Sequence, residues 1–397
     1  MSTLKVDAIR HNSATSDAIT TAADGTCTAK ITGMTGGGAL SHRNIICNGD
    51  MRVAQRSVGP VAVSDGSNEN YQTIDRMRFS FGNSAAGACN ISQSTDAPTT
   101  LGFTKSHKTD VTTVNTTASG QQIINFFYRI EGQDLRNSGW NHLSPSSFLT
   151  LSFYFKTTRT GTSKLPIAFR TRHGTNYYYI QNVTVTDPTN WNRYTVTIPG
   201  NSNLQIDDAT TTGMDFFISY YTGPDKDTSS EGSWGSTNAY STSESTNYFD
   251  STSNDMFITG IQLEVGDTAT SFEHRSYSEE LARCQRYYYR ISADSAGQGF
   301  GMGYQMTSSA AKILINFPVT MRTKPTALDT SGTASDYSVA RTSTYEVCNV
   351  VPTFANATIY AGQVNTNQTQ ASISTGQSVL LRSHSANFFL RFSAELT

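Results

Sequence analysis

The stretch FLTLSFYFK, residues 148–156, alternates Leu149, Leu151, Phe153 and Phe155 with Thr150, Ser152, Tyr154 and Lys156. Side chains that repeat every second residue line one face of a β-strand, so this chain has to bury one face of a sheet. The pattern recurs from residue 46 to 275. NRYTVTIPG (192–200) sets Tyr194, Val196 and Ile198 on one face, and MDFFISYYTG (214–223) sets Met214, Phe216, Ile218 and Tyr220 there. FITGIQLEVG (257–266) does the same with Phe257, Ile261, Leu263 and Val265. QQIINFFYRIEG (121–132) is apolar at nearly every position and is predicted to be a strand covered on both sides. Strands of this length, cut by Gly, Pro, Asn and Asp turns, predict an all-β fold whose main body is an antiparallel sandwich of jelly-roll type.

With 20 Phe, 19 Tyr and a surplus of Ser, Thr, Asn and Gly, the chain favours strands and turns over helices. Its 397 residues exceed one ordinary core, and roughly 100–200 residues per domain predicts two or three domains. Residues 1–45 hold short extended pieces, TLKVDAI and CTAKITGM, between Ser, Thr, Asp and Gly clusters, and TGGGALSHR (35–43) reads as a flexible joint. Such a segment is either a disordered tail or a stalk or anchor that needs other chains to bury its few apolar residues. Residues 223–250 read as a long Ser/Thr/Gly insertion without structure of its own, functional or mobile. Within a linker at 276–290, SYSEELARCQR predicts a helix, with Ser276 and Glu279 as a capping box and Tyr277, Leu281 and Cys284 on one face. Residues 291–397 return to the β pattern and predict a smaller C-terminal β-sandwich. There AAKILINFPVT gives a strand ended by Pro318, and SVLLRSHSANFFLRFSAEL gives two strands about a turn at Ser383–Ala386.

A net charge of −2, with 15% charged residues, supplies no basic field for nucleic acid or an anionic membrane. No run approaches the ~20 apolar residues of a membrane helix, and the opening MSTLKVDAIRHNSATSDAITT lacks an apolar run of signal-peptide type. A protein made in a cytoplasm that stays soluble there, or leaves it without a classical signal, is the expectation. The five cysteines are scattered without a CxxC spacing, which predicts buried or idle thiols and neither a disulfide framework nor a thiolate metal site. HExxH, GxSxG and Walker-type motifs are absent, and GQGFGMG (297–303) sits among strand residues, away from any strand-to-helix phosphate cradle. The carboxylate pairs Asp207/Asp208, Glu279/Glu280 and Glu264 with Glu273 read as turn, helix-terminus and strand-end residues. No cofactor, no metal and no enzymatic activity are expected.

Two polar stretches remain. In NGDMRVAQRS (48–57), Asn48-Gly49-Asp50 is a turn, and Gln55 and Arg56 stand where a strand should be apolar. In YQTIDRMRFS (71–80), Asp75 and Arg76 are either a buried bidentate pair or surface residues. NIICNGDMRVAQRS…YQTIDRMRFS resembles the signature N-x-x-x-N-G-D/N-F/M-x-x-x-Q-R-G…Y-x-x-D-R-W of tail-fibre and related virion proteins of tailed bacteriophages, with Ser57 in place of Gly and Met77 in place of Trp. FITGIQLEVGDTATSFEHRSYSEELARCQRYYYR (257–290) is similar to a second, longer signature of the same proteins, and STLKVDAIR to the starts of marine and cyanobacterial phage fibres. The resemblance implies virion attachment through residues 1–45 and a jelly roll like carbohydrate-binding modules over 46–275. It further implies a helical linker over 276–290, a distal β-sandwich over 291–397, a homotrimer and a place on the virion tail. Gln55, Arg56, Asp75, Arg76, Glu264, Glu273, Arg275, Glu279 and Arg286 would then be scaffold, satisfying one another or the backbone.

The leading functional expectation is a non-enzymatic adhesin that recognises a bacterial surface glycan. Aromatic rings suit the CH faces of sugars, and amides suit their hydroxyls. Candidate contacts are Trp234, Tyr240 and Tyr248 in the insertion, Tyr177 and Tyr179 in HGTNYYYIQN, and Tyr337 and Tyr345 in the terminal domain. The alternative is a purely structural virion protein, a head decoration or a fibre-to-tail adaptor. A capsule depolymerase would need a long β-helix periodicity that the chain lacks.

Overall fold

In a computed structural model of the chain, Leu149, Leu151, Phe153 and Phe155 are fully buried along one face of a single strand, as their spacing requires. The structure describes residues 8–9, 19–21, 27–29, 43–67, 70–116, 120–341, 344–368 and 373–396. Near the start, β1 (Ala8–Ile9), β2 (Ile19–Thr21) and β3 (Cys27–Ala29) pair antiparallel as a small sheet. Residues 43–45 of the expected attachment segment are described with the main body, and the rest of that segment lies outside the described residues.

The main body uses β4 (Val61–Ser64), β5 (Arg78–Gly82), β6 (Ala88–Ser94), β7 (Ser106–Thr113), β8 (Ile123–Glu131), β9 (Phe148–Thr157), β10 (Ser163–Thr171), β11 (Tyr178–Val185), β12 (Asn192–Pro199), β13 (Thr212–Thr222), β14 (Trp234–Gly235) and β15 (Asp255–Val265). A short helix, α1 (Gly132–Asn137), follows β8. The strands form two six-stranded sheets, ordered β14-β11-β10-β13-β8-β5 and β12-β9-β15-β7-β6-β4. Phe126, Tyr128, Phe153, Phe155, Phe169 and Phe216 from both sheets meet in one core, the arrangement of an aligned sandwich.

Strand β8 is covered on both sides, as its uniform apolarity predicts. Phe126 and Tyr128 enter the sandwich core, while Phe127 joins Phe217, Tyr178, Ile180, Ala239 and Tyr240 in a second cluster outside the sheet. Ala239 and Tyr240 come from the segment expected to be structureless. It folds over the outer sheet face because it has apolar side chains to bury there, and its backbone is tied down, Gly232 N–H donating to Ile180 O at 2.8 Å and Tyr240 N–H to Lys226 O at 2.8 Å.

In β15 the register slips between Thr259 and Gln262, where Gly260 takes φ +63. The bulge inserts one residue and inverts the alternation. Met256 and Ile258 therefore face the core upstream, and Ile261 and Leu263 face it downstream. Phe257 lies on the opposite face, edge-on to Trp191 at 6.4 Å, and Val265 is exposed. The single apolar face expected for this strand is divided by the bulge.

Helix α2 (Tyr277–Gln285) forms where the capping box predicts, the Ser276 hydroxyl accepting from the Glu279 N–H. Cys284 is buried and Leu281 half-buried, but Tyr277 is exposed. Glu280 points inward, paired with Arg275 at 3.4 Å.

The C-terminal part comprises β16 (Tyr288–Ser292), β17 (Gly299–Thr307), β18 (Ala310–Asn316), β19 (Leu328–Thr330), β20 (Tyr337–Ala340), β21 (Tyr345–Ala357), β22 (Ala361–Gln368), β23 (Ser378–Ser383) and β24 (Phe389–Ser393). Six of these close into a barrel, β17-β18-β22-β21-β20-β23, and β16-β24-β19 form a separate sheet. The expected open sandwich is thus a closed barrel with a sheet beside it. Three register shifts bend β21, and Gly303 lets β17 approach β18 so closely that a Cβ would stand 1.7 Å from Lys312 O. β23 and β24 flank the expected turn yet never pair with each other, since β23 completes the barrel and β24 pairs with β16 and β19.

Candidate functional site

The two signatures meet in space. Asn44 donates its side-chain amide to Ile261 O at 3.0 Å, and its own N–H donates to Glu273 at 2.8 Å. Arg275 bridges Glu273 at 2.9 Å and Glu280 at 3.4 Å. Glu264 accepts from the Thr270 N–H and hydroxyl at 2.9 and 2.6 Å. Arg286 and the Tyr287 hydroxyl both donate to Glu131, which is fully buried. Arg283 pairs with Glu279 one helical turn away.

Asp75 and Arg76 do not form the bidentate pair considered above. Asp75 accepts from the Gln55 side chain and stands 3.6 Å from Arg56. Arg76, fully buried at φ +70, donates instead to Glu395 near the C-terminus and to Arg129 O at 2.7 Å. Its guanidinium lies 3.6 Å from the Tyr287 ring centre and 4.9 Å from that of Tyr128. Sequence reasoning missed Glu395, because no local pattern points 319 residues along the chain. These polar groups tie the sandwich to the helical linker and to Glu395 just beyond β24, satisfying one another or the backbone as expected.

Beside this junction opens a cleft of about 600 Å³. Ile45 and Val265 give it apolar walls, Tyr128 and Tyr287 border it while nearly fully buried, and Arg43, Asp134, Asn137, Ser138, Thr270, Arg283 and Arg286 supply polar groups. Asn137 stands exposed at the end of α1. Burial, reinforced by Glu131 and opposed by Arg286, pushes the Asp134 carboxyl up to about 6. Convergent donors and acceptors on a partly apolar wall are what a hydroxyl-rich ligand requires. Among the described residues, no group of three or more His, Cys, Asp or Glu side chains is placed to hold a metal ion, and no helix is long and apolar enough to cross a membrane.

The predicted aromatics separate into two groups. Tyr179 and Trp234 come together at one sheet edge, opposite each other with the ring centres 5.4 Å apart, and Tyr177, just ahead of β11, is half-buried against the core. Trp234 is half-buried, and its indole N–H donates to Pro199 O at 2.7 Å. Tyr240 is buried and accepts from Arg170 at 2.8 Å, and Tyr248 lies in the core against Ser163 at 2.8 Å. Tyr337 is fully buried in the barrel, its hydroxyl donating to Phe389 O at 2.7 Å. Tyr345 is exposed under Arg382. Tyr179, Tyr240, Tyr248 and Tyr337 therefore present almost no ring face in this structure. Trp191, which sequence reasoning passed over, is half-buried on the outer face of the second sheet. Its indole donates to Asp96 at 3.1 Å, and Lys156 pairs with the same carboxylate at 2.6 Å. Its position just ahead of the alternating NRYTVTIPG strand was the available signal.

No family model and no curated protein matches the chain. Among solved structures, it is similar to a family 11 carbohydrate-binding module from a Clostridium thermocellum cellulosomal cellulase (10% identity, 54% of this chain and 100% of that one, TM-score 0.27). It is also similar to the enzymatically active domain of bacteriophage CBA120 tailspike protein 4 (13%, 53% and 22%, TM-score 0.27). A xylan-binding domain from Paenibacillus barcinonensis is a third (9%, 48% and 87%, TM-score 0.25). Likenesses this slight carry no argument about function.

Proposed function

We propose that this protein is a non-enzymatic glycan-binding fibre of a tailed bacteriophage, attached to the virion tail through residues 1–45 and assembled as a homotrimer. The observation that carries glycan binding is the cleft of about 600 Å³, where guanidinium, amide, hydroxyl and carboxyl groups converge beside the apolar side chains of Ile45 and Val265. A sugar needs both donors and acceptors around an apolar patch, and this wall supplies them. Self-association is supported by the row Leu314–Met302–Leu380 across β18, β17 and β23, in which Leu314 and Met302 are exposed and Leu380 is half-buried, since apolar patches at a surface mark contact sites. Three copies would raise a weak single-site affinity.

A bacterial polysaccharide array probed with the full chain tests this reading. At least one polysaccharide should bind, Asn137→Ala should weaken that binding at least tenfold, and Trp191→Ala should leave it unchanged. Loss with Trp191→Ala alone moves the site to the outer sheet face. An array on which nothing binds supports the structural reading, which the burial of Tyr179, Tyr240, Tyr248 and Tyr337 already favours. Release of reducing ends from a bound polysaccharide would overturn the non-enzymatic assignment.

A further inference from the structure

Each signature carries one cysteine, and the fold brings the two together. The sulfurs of Cys47 and Cys284 lie 3.6 Å apart, from positions 237 residues apart in the chain. Both are buried, and both carriers are independently fixed. The Cys47 N–H donates to the Tyr128 hydroxyl at 3.0 Å, and the next residue, Asn48, donates its N–H to Glu280 of α2 at 2.5 Å. Cys284 lies one turn further along the same helix. Cys47 lines the cleft and is 7% exposed, whereas Cys284 is not among the lining residues and is fully buried, so Cys47 is the member of the pair that a reagent in the cleft can approach. Cys89 and Cys348 are likewise free thiols, buried elsewhere.

We propose that Cys47 and Cys284 form a built-in oxidation site, at which a low-molecular-weight disulfide entering the cleft produces an intramolecular disulfide that fastens α2 to the first segment of the sandwich. The Cys47 thiolate attacks one sulfur of the oxidant, forming a mixed disulfide and releasing one small thiolate. Cys284, after giving its proton to that thiolate or to solvent, attacks the Cys47 sulfur and expels the second small thiol. Two protein thiols are oxidised and one disulfide is reduced to two thiols, so the exchange balances. Burial pushes both thiols up, which makes the attacking thiolate scarce at neutral pH and the reaction faster as pH rises. A bridge of this span restricts the unfolded chain strongly. Such a site stays reduced in a cytoplasm and closes outside it. The chemistry does not depend on glycan binding.

The test uses the full-length protein and cystamine as oxidant, at about pH 8.5, near the ordinary thiol pKa. After alkylation and digestion without reductant, mass spectrometry should find Cys47 joined to Cys284, and Tm should rise by several degrees and fall back with reductant. Cys284→Ala should hold the cystamine adduct on Cys47 and show no rise; if that variant does not fold, the wild-type peptide map decides alone. Alkylation of both cysteines in folded, cystamine-treated protein would overturn the proposal. So would adducts confined to Cys89 or Cys348, or a bridge that leaves Tm unchanged.

Discussion

On the sandwich, the outward side of β13 carries Phe217, and Ala239 and Tyr240 from the excursion after that strand cover it. On the barrel, the outward side of β17 carries Met302, 67% exposed, and Tyr304, 50% exposed. Both regions bury inward side chains, Phe153 and Phe216 in one and Ile313 and Leu381 in the other, so alternation built both cores. The difference lies in what the chain does with the second face of each sheet. The sandwich is finished within one chain, whereas the barrel keeps an apolar row at its surface. Between them lies a charged joint in which Arg76 of the sandwich meets Glu395 beyond the last barrel-side strand.

The joint is where the comparison breaks most easily. Arg76→Ala leaves the buried Glu395 carboxylate with only Arg56, at 3.1 Å, as its ion-pair partner, and removing one member of a buried pair costs up to about 3–5 kcal/mol. Denaturant unfolding should show that loss, with sandwich and barrel ceasing to unfold in one transition. Adding Glu395→Gln should restore part of it, since the carboxylate left with a single partner, Arg56, loses its charge too. A loss below about 1 kcal/mol would mean that the two regions stand independently.

Matched truncations on the two outer faces sharpen the contrast. Phe217→Ala empties a covered site and should cost about 3–5 kcal/mol. Met302→Ala should change the stability of a single chain by no more than about 0.5 kcal/mol, while sedimentation shows weaker self-association. Equal costs would mean that the two faces are equally covered.

These contrasts also mark what the sequence could show. Period-two spacing identified β9, β12 and β13 and the residues they bury, because one buried face leaves its trace in the chain itself. The capping box at Ser276 and Glu279 placed α2 for the same local reason. Alternation could not say what covers a second face, so the excursion containing Tyr240 read as loose and Tyr240 and Tyr248 as available to a ligand. Barrel closure depends on bulges in β21 and on bare glycines in β17, which resemble ordinary turn punctuation in one dimension. The cleft was invisible because its walls come from residues 43–47, α1, the end of β15 and α2, joined by contacts more than 200 residues apart.

The bulge in β15 is a smaller test of the same point. At Gly260, φ is +63 and an added Cβ would stand 2.7 Å from ring atoms of both Phe103 and Tyr154. Gly260→Ala should cost about 1–3 kcal/mol through backbone strain and ring displacement. A neutral outcome in thermal unfolding would show that the inverted alternation of this strand does not depend on glycine.

The smallest expected effect concerns protons. Asp50, Asp75 and Asp134, all in the sandwich, have carboxyls pushed up to about 6, in each case chiefly by burial. An unfolded Asp titrates near 3.9, so between about pH 4 and 6 the folded chain holds protons that the unfolded chain has already released. Stability therefore falls as pH rises through this window and levels off above it, the opposite of a carboxylate held ionised by an ion pair. Asp134→Asn removes one of the three contributions without adding a charge. Its Tm should decline less between pH 4 and 7 than that of the unmodified chain, with the curves converging at the acid end. Parallel curves would mean that the Asp134 carboxyl is already ionised in the folded cleft at about pH 4, with Arg286 outweighing burial and Glu131, and a ligand in that cleft would then meet a negative group even below about pH 6.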